Sequence, residues 1–249
     1  MPTDVYALLY DDGEMAFQHG VTPKRTQNVV ETYPVDLKNG YAWDNSHLKA
    51  TNPWCDAGKS IIRIDFADTI VPQSTAYWFC GCFSLAQISN IGNLDTSSVT
   101  TMEGMFWVCS NLRALDLNSF DTSSVMDMSS MFYGCPVITP DLNSFNTSSV
   151  TDMKCMFQYC SSLTTLDLSS FDTSSVTDTR RMFSDCTSLA TIYASERFVT
   201  TRVSDSDYMF ANCMNLVGGK GTQASGYIDK TYARIDGGAD NPGYFTRKS

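Results

Sequence analysis

The chain is short of charge, shorter still of basic residues, and almost without histidine. Of its 249 residues 18% are charged, 17 bases stand against 27 acids for a formal net charge of −10, and the histidines are His19 and His47. So few Lys and Arg argue against DNA or RNA as a partner, because affinity there comes from neutralising phosphates. They argue against an anionic membrane surface for the same reason. No apolar run reaches about 18 residues, so no membrane insertion is expected. The opening MPTDVYALLYDDGE has neither a basic n-region nor a long apolar h-region, so no signal peptide is expected there.

Catalytic and metal signatures are missing as well. There is no G-x-S-x-G and no H-E-x-x-H, and no acid–base pair stands apart from the repeats described below. Nine cysteines are present, yet none falls in C-x-x-C zinc spacing. No enzyme activity, no cofactor and no metal are expected.

What is present is repetition. SFDTSSV at 119–125 returns as SFNTSSV at 144–150 and SFDTSSV at 170–176, with LDTSSV at 94–99. Met-Phe pairs end at Phe106, Phe132, Phe157, Phe183 and Phe210, preceded by the variant Trp78-Phe79, with steps of 27, 26, 25, 26 and 27 residues. Three residues after each Phe comes Cys82, Cys109, Cys135, Cys160, Cys186 or Cys213, and three further on an aliphatic: Leu85, Leu112, Ile138, Leu163, Leu189 or Leu216. A unit of this length cannot bury its own apolar face, whereas stacked units can. Within a unit, LTTLDLSSF alternates like a short strand, DTSS has turn-forming side chains, and SSMFYGC reads as a helical turn ending near Gly134. The spacing predicts an α/β repeat solenoid, a right-handed superhelix with a parallel strand ladder on one side and short helical turns on the other. The apportionment is an N-terminal β cap over 1–50, about six repeats over 51–216, and a C-terminal β-hairpin cap over 217–249. The N-terminal cap opens on a hairpin around Asp12-Gly13, SIIRIDF joins the ladder, and YARIDGGADNPGYFT forms the last hairpin.

Each repeated column has a bland and a functional reading. The Phe column and the cysteines Cys109, Cys135, Cys160, Cys186 and Cys213 read as core: a stack of offset rings, and small buried hydrophobes. Cys55, Cys80 and Cys155 are out of register, and Cys155 reads as exposed and oxidisable. Asp95, Asp121, Asn146 and Asp172 open the polar phrase, where an Asx turn onto the following Ser amides suffices. Asn in the column favours that turn over calcium, which wants about six to eight oxygens. Asp127, Asp152 and Asp178 form a further column. Asp116, Asp141 and Asp167, continued by Tyr193, lie on the expected strand, whose outward side chains line a possible binding face. The alternative for them is a solvated surface.

The stretch LDLSSFDTSSVTDTRRMFSDCTSL resembles the BspA-like leucine-rich repeat surface proteins, in the subgroup with the mycoplasma-lipoprotein-type repeat. The resemblance spans roughly residues 79–216. It implies a leucine-rich-repeat-like fold and a cell-surface or secreted protein tied to adhesion. The absence of an export signal leaves phage-associated or cytoplasmic placement open. The partner expected is a protein or a glycan, engaged along the strand face. The alternative is a rigid spacer presenting one of its ends.

Overall fold

The structure, a computed structural model, describes residues 4–44, 49–54, 60–136 and 140–248. His47, Cys55 and Ile138 lie outside them. Strands β1 (Val5–Tyr10) and β2 (Glu14–His19) pair antiparallel around Asp12-Gly13. β3 (Val29–Pro34) covers the outer edge of β1, and β4 (Trp43–Asp44) pairs with β5 (Lys49–Ala50). β6 (Arg63–Phe66) lies parallel to β2, and β7 (Gln87–Ser89) is parallel to β6. The hairpin thus hands its edge directly to the first strands of the repeat region.

Further on, β8 (Thr165–Leu168), β9 (Thr191–Ala194) and β10 (Phe245–Arg247) form a parallel sheet in the order β10-β9-β8. Isolated parallel bridges link consecutive repeats between the two sheets: Ser74 to Thr101, Thr101 to Asp127, Asp127 to Asp152, Asp152 to Asp178 and Asp178 to Asp205. This is a repeat-protein fold in which each unit bonds to the next. The expected strand ladder is interrupted, because residues 115–117 and 140–142 are not strand. Pro140 explains the second gap, since a proline has no N–H to give to a ladder.

Helical turns were expected around each Met-Phe pair, and the structure corrects this. Among the described residues there is no α-helix; Ile91–Asn93 and Lys230–Tyr232 are single 3-10 turns. The reason lies in where the N–H groups go. Those of Met102, Gly104, Phe106 and Val108 donate across to Asp127, Ser129, Met131 and Tyr133 of the next repeat, at 2.7–3.0 Å. Those of Met105, Trp107 and Cys109 donate back to Met102, Gly104 and Phe106. An α-helix would send every N–H to its own fourth predecessor, leaving none for the neighbour. The alternation requires left-handed backbone on both flanks of the pair, at Gly104 (φ 56°) and Val108 (φ 55°) in this unit.

The C-terminal hairpin is also corrected. Ile235 and Phe245 bridge in parallel, not antiparallel, and β10 adds beside β9. The chain turns tightly over 237–241, with Gly237 N–H donating to the Asn241 carbonyl at 2.8 Å. Backbone then crosses so closely that a Cβ on Gly243 would sit 2.2 Å from the Arg234 carbonyl oxygen. Asp236, 4% exposed, fixes this segment by accepting from the N–H groups of Lys220, Thr222 and Gly238 and from the Thr222 hydroxyl. Those donors hold its carboxyl at about 2, against the opposing effect of burial.

One hydrophobic cluster runs from Val5 to Phe245. Along it Phe79, Phe106, Phe132, Phe157, Phe183 and Phe210 lie ring on ring at 5.4–6.0 Å. Phe17 ends the stack edge-on at 6.0 Å and Tyr244 ends it edge-on at 5.2 Å. Each cysteine of the repeat donates its thiol to the Phe carbonyl of the preceding unit: Cys109 to Phe79, Cys135 to Phe106, Cys160 to Phe132, Cys186 to Phe157 and Cys213 to Phe183, at 2.9–3.1 Å. Burial pushes the thiols of Cys109, Cys160 and Cys213 well up, so they stay protonated donors.

Candidate functional site

The acidic columns share one local geometry. Asp95, Asp121, Asn146 and Asp172 each accept from the backbone N–H two residues on, that of Ser97, Ser123, Ser148 and Ser174. Asp127, Asp152 and Asp178 do the same with Ser129, Lys154 and Arg180. So do Asp116, Asp141 and Asp167, with Asn118, Asn143 and Ser169. The strand-face candidates are therefore chemically occupied like the turn residues. Asp167 and Tyr193 stand opposite each other on β8 and β9, and Lys248 pairs with Asp167. Asp116 and Asp141 lie outside any strand.

His19 is exposed and its Nε2 lies 3.1 Å from the Thr69 carbonyl oxygen. Among the described residues no group of three or more His, Cys, Asp or Glu side chains is placed to hold a metal ion. Among the described residues no helix is long and apolar enough to cross a membrane. Cys109, Cys135, Cys155, Cys160, Cys186 and Cys213 form no disulfide; Cys80 is buried and Cys155 partly so.

A different surface stands out. Tyr77, Trp107, Tyr133 and Tyr159 form a row of rings across four repeats, with centroids 5.7, 5.1 and 5.4 Å apart. They occupy the positions flanking Met-Phe, where the backbone is left-handed or next to it. The position before Met carries Tyr77, Gly104, Ser130, Cys155, Arg181 and Tyr208, with φ of 55–60° throughout. Two residues after Phe come Gly81, Val108, Gly134, Tyr159, Asp185 and Asn212, again all with positive φ. The Tyr77 ring lies over Gly104, where a Cβ would come within 2.4 Å of it. The ring and the glycine fit each other across the repeat boundary. The Tyr77 hydroxyl donates to Glu103 at 2.8 Å, and burial raises the pKa of both groups.

Past Tyr159 the row opens into a trough of about 250 Å³. Directly after Phe, the bulky Trp107 and Tyr133 give way to Gln158, Ser184 and Ala211, which line it. Tyr159, Arg181, Asp185, Tyr208 and Asn212 complete its lining. Tyr159 and Tyr208 are 50% and 52% exposed. The Arg181 guanidinium lies over the Tyr208 ring at 5.5 Å, within cation–π range. Its neighbour Arg180 is instead committed to Asp178 and Asp205. Asp185 is held by the Ser184 hydroxyl and the Asn212 amide, both at 2.7 Å. An adjoining cleft of about 560 Å³ shares Tyr208 and Asn212 and leads to Met214 and Tyr227.

Sequence reasoning passed over this surface. The signal was there: Gly, Asn and Asp recur on either side of Met-Phe, where left-handed backbone favours them, and aromatic residues are interleaved with them. The polar phrase, being longer and more regular, drew the reading to the acids instead.

The repeat region matches the family model described as "Mycoplasma protein of unknown function, DUF285" over residues 73–187 and 115–219, together more than half of the chain. A comparison with curated proteins finds no match. Among solved structures, a leucine-rich repeat protein from Bacteroides ovatus is 19% identical, with a TM-score of 0.46, over 87% of this chain and 51% of that one. A leucine rich cell surface protein from Faecalibacterium prausnitzii is 16% identical, with a TM-score of 0.26, over 84% of this chain and 56% of that one. This chain thus spans about half the length of either.

Proposed function

The chain belongs to the DUF285 family, and on that footing we propose that it is a non-enzymatic binding module of the adhesion kind. Its repeats run as one right-handed, leucine-rich-repeat-like solenoid, covered at its ends by residues 1–50 and 217–249. Its place is the cell surface or outside the cell, and its partner is a protein or a glycan.

The observation that carries the reading is the surface row from Trp107 through Tyr133 and Tyr159 to Tyr208, with Tyr77 buried at its head. A chain that stacks its Phe rings in the core leaves Tyr and Trp rings and an Arg at the surface in register with the repeat. Tyr, Trp and Arg dominate the energetics of recognition surfaces. A regular stack of units presents such a row rigidly, which lowers the ordering cost of binding. The strand-side residues Asp116, Asp141, Asp167 and Tyr193 are the second candidate surface, with their carboxylates already engaged in local turns.

The test is capture on a panel of immobilised glycans and purified surface proteins. A Trp107→Ala/Tyr133→Ala/Tyr159→Ala variant is expected to lose retention, and an Asp116→Ala/Asp141→Ala/Tyr193→Ala variant to keep it. The reverse result moves the site to the strand face. Retention by the wild type that survives in both variants favours a spacer presenting a terminal unit.

A further inference from the structure

Resting on that binding reading, we infer that the trough beside Tyr159 takes a neutral, hydroxyl-rich sugar ring, and that the aromatic row carries the rest of an extended glycan. The trough exists because three columns change together. The position after Phe shrinks to Gln158, Ser184 and Ala211 while the flanking positions gain Tyr159 and Tyr208, all of them lining the trough. Two half-exposed rings then face a shallow groove, the arrangement that receives the apolar C–H face of a pyranose.

The polar groups match hydroxyls in particular. A sugar hydroxyl donates and accepts at once, and the trough offers both functions side by side. Asp185 accepts; its two protein donors leave part of its about four lone-pair sites open. Asn212 and Gln158 supply amides, and Arg181 donates. Gln158 is 4% exposed and lines the trough.

Charge and backbone disfavour an anionic glycan and a strand-adding peptide. A net charge of −10 repels an anionic polysaccharide. A peptide that adds as a strand would need free backbone groups to pair with. Here the N–H groups of Tyr159, Arg181 and Asp185 are spent on Ser184, Asp207 and Ala211 of the next repeat. The side chains of the lining carry both signs of charge, Arg181 and Asp185.

The experiment is calorimetric titration of the whole chain with neutral gluco- and galacto-oligosaccharides, trimers to hexamers, alongside uronic-acid oligosaccharides of equal length. Binding of a neutral series is expected, weakened about tenfold or more, which is about 1.4 kcal/mol, by Tyr159→Ala and by Asn212→Ala. Trp107→Ala is expected to weaken hexamers while leaving trimers unchanged. Both trough residues have left-handed backbone, where Ala lowers Tm somewhat, so an unchanged far-UV spectrum and a cooperative melt verify the fold of those variants. Preference for the uronic series, or affinity indifferent to Tyr159→Ala, overturns the assignment. A purified protein captured through the row with no neutral sugar bound also overturns it, while leaving the binding-module reading standing. Failure of every ligand to sense the row sinks both.

Discussion

The Thr147 hydroxyl donates to the Asp172 carbonyl at 2.9 Å and accepts from the Asp172 N–H at 2.8 Å. One buried side chain so satisfies both backbone groups of a residue in the next repeat. The same clasp joins Thr96 to Asp121 and Thr122 to Asn146. It does the work of a strand where the chain is turning. Thr147→Val keeps shape and volume but removes donor and acceptor together. An expected loss of about 2–3 kcal/mol follows, because a backbone N–H and a C=O lose their partner at once. Thr147→Ser is expected to lose less. Urea titration measures both, and a Val variant as stable as wild type would end the idea of the clasp.

Much of this was legible in the sequence, and the limits have physical causes. The period, the buried Phe and Cys columns and the N-terminal hairpin around Asp12-Gly13 are pattern properties, set by which side chains must leave water. The Asx role of Asp121 was readable from Asn146, which makes the same bond without charge. The Met-Phe segment was not readable as it stands. Short apolar runs fit a helical turn as well as an alternating one, and the choice is made by the N–H groups of Phe106 and Val108 reaching the next repeat. The trough was hidden for a related reason: it arises from differences between repeats, at Gln158, Ser184 and Ala211, whereas sequence reading looks for sameness.

Acid should expose the two classes of carboxylate. Hydrogen bonds from the Ser123 hydroxyl and N–H hold Asp121 below the usual range, with Ser97 and Ser174 acting likewise on Asp95 and Asp172. Asp236 is held at about 2. A folded value below the unfolded one contributes stability that is complete above the unfolded value, 3.8, and lost as pH falls towards the folded value. Asp236→Asn turns an amide NH₂ toward N–H donors and is expected to cost about 3 kcal/mol near neutrality. The gap to wild type should narrow between pH 3.8 and about 2. Thermal melts of both proteins across that range decide it; a gap constant to the acid end would mean that the charge is not what those donors hold. Asp121→Asn, matching Asn146, is expected to be close to neutral.

The thiol column is expected to resist alkylation. Cys109, Cys135, Cys160, Cys186 and Cys213 are at most 3% exposed. Thiolates are the reactive form, and burial keeps Cys109, Cys160 and Cys213 protonated. In the native chain at pH 8, maleimide followed by peptide mass mapping should mark Cys155 ahead of these five. Burial raises the Cys155 thiol too, against Arg181, Arg180 and Lys154, which lower it, so its labelling should be slow. Rapid native labelling of Cys135 or Cys186 would contradict a packed column.

The ring stack makes a prediction about cooperativity. Phe157, 1% exposed, lies 5.5 Å from Phe132 and 6.0 Å from Phe183. Phe157→Ala is expected to cost about 3–5 kcal/mol. Because each repeat touches chiefly its neighbours, that loss falls on one interface and can uncouple the halves on either side. The tryptophans report on one half alone: Trp43, Trp54, Trp78 and Trp107 all precede Phe157. Wild type should unfold with Trp fluorescence and far-UV dichroism superimposed, as a cooperative unit does. In Phe157→Ala the dichroism should begin to fall at lower denaturant, from the C-terminal repeats, while the fluorescence midpoint stays near that of wild type. Coincident curves in the variant, both shifted together, would mean that the N-terminal hairpin and the C-terminal segment bind the whole stack into one unit, and that the end-on contacts of Phe17 and Tyr244 carry more of the cooperativity than the rings between them.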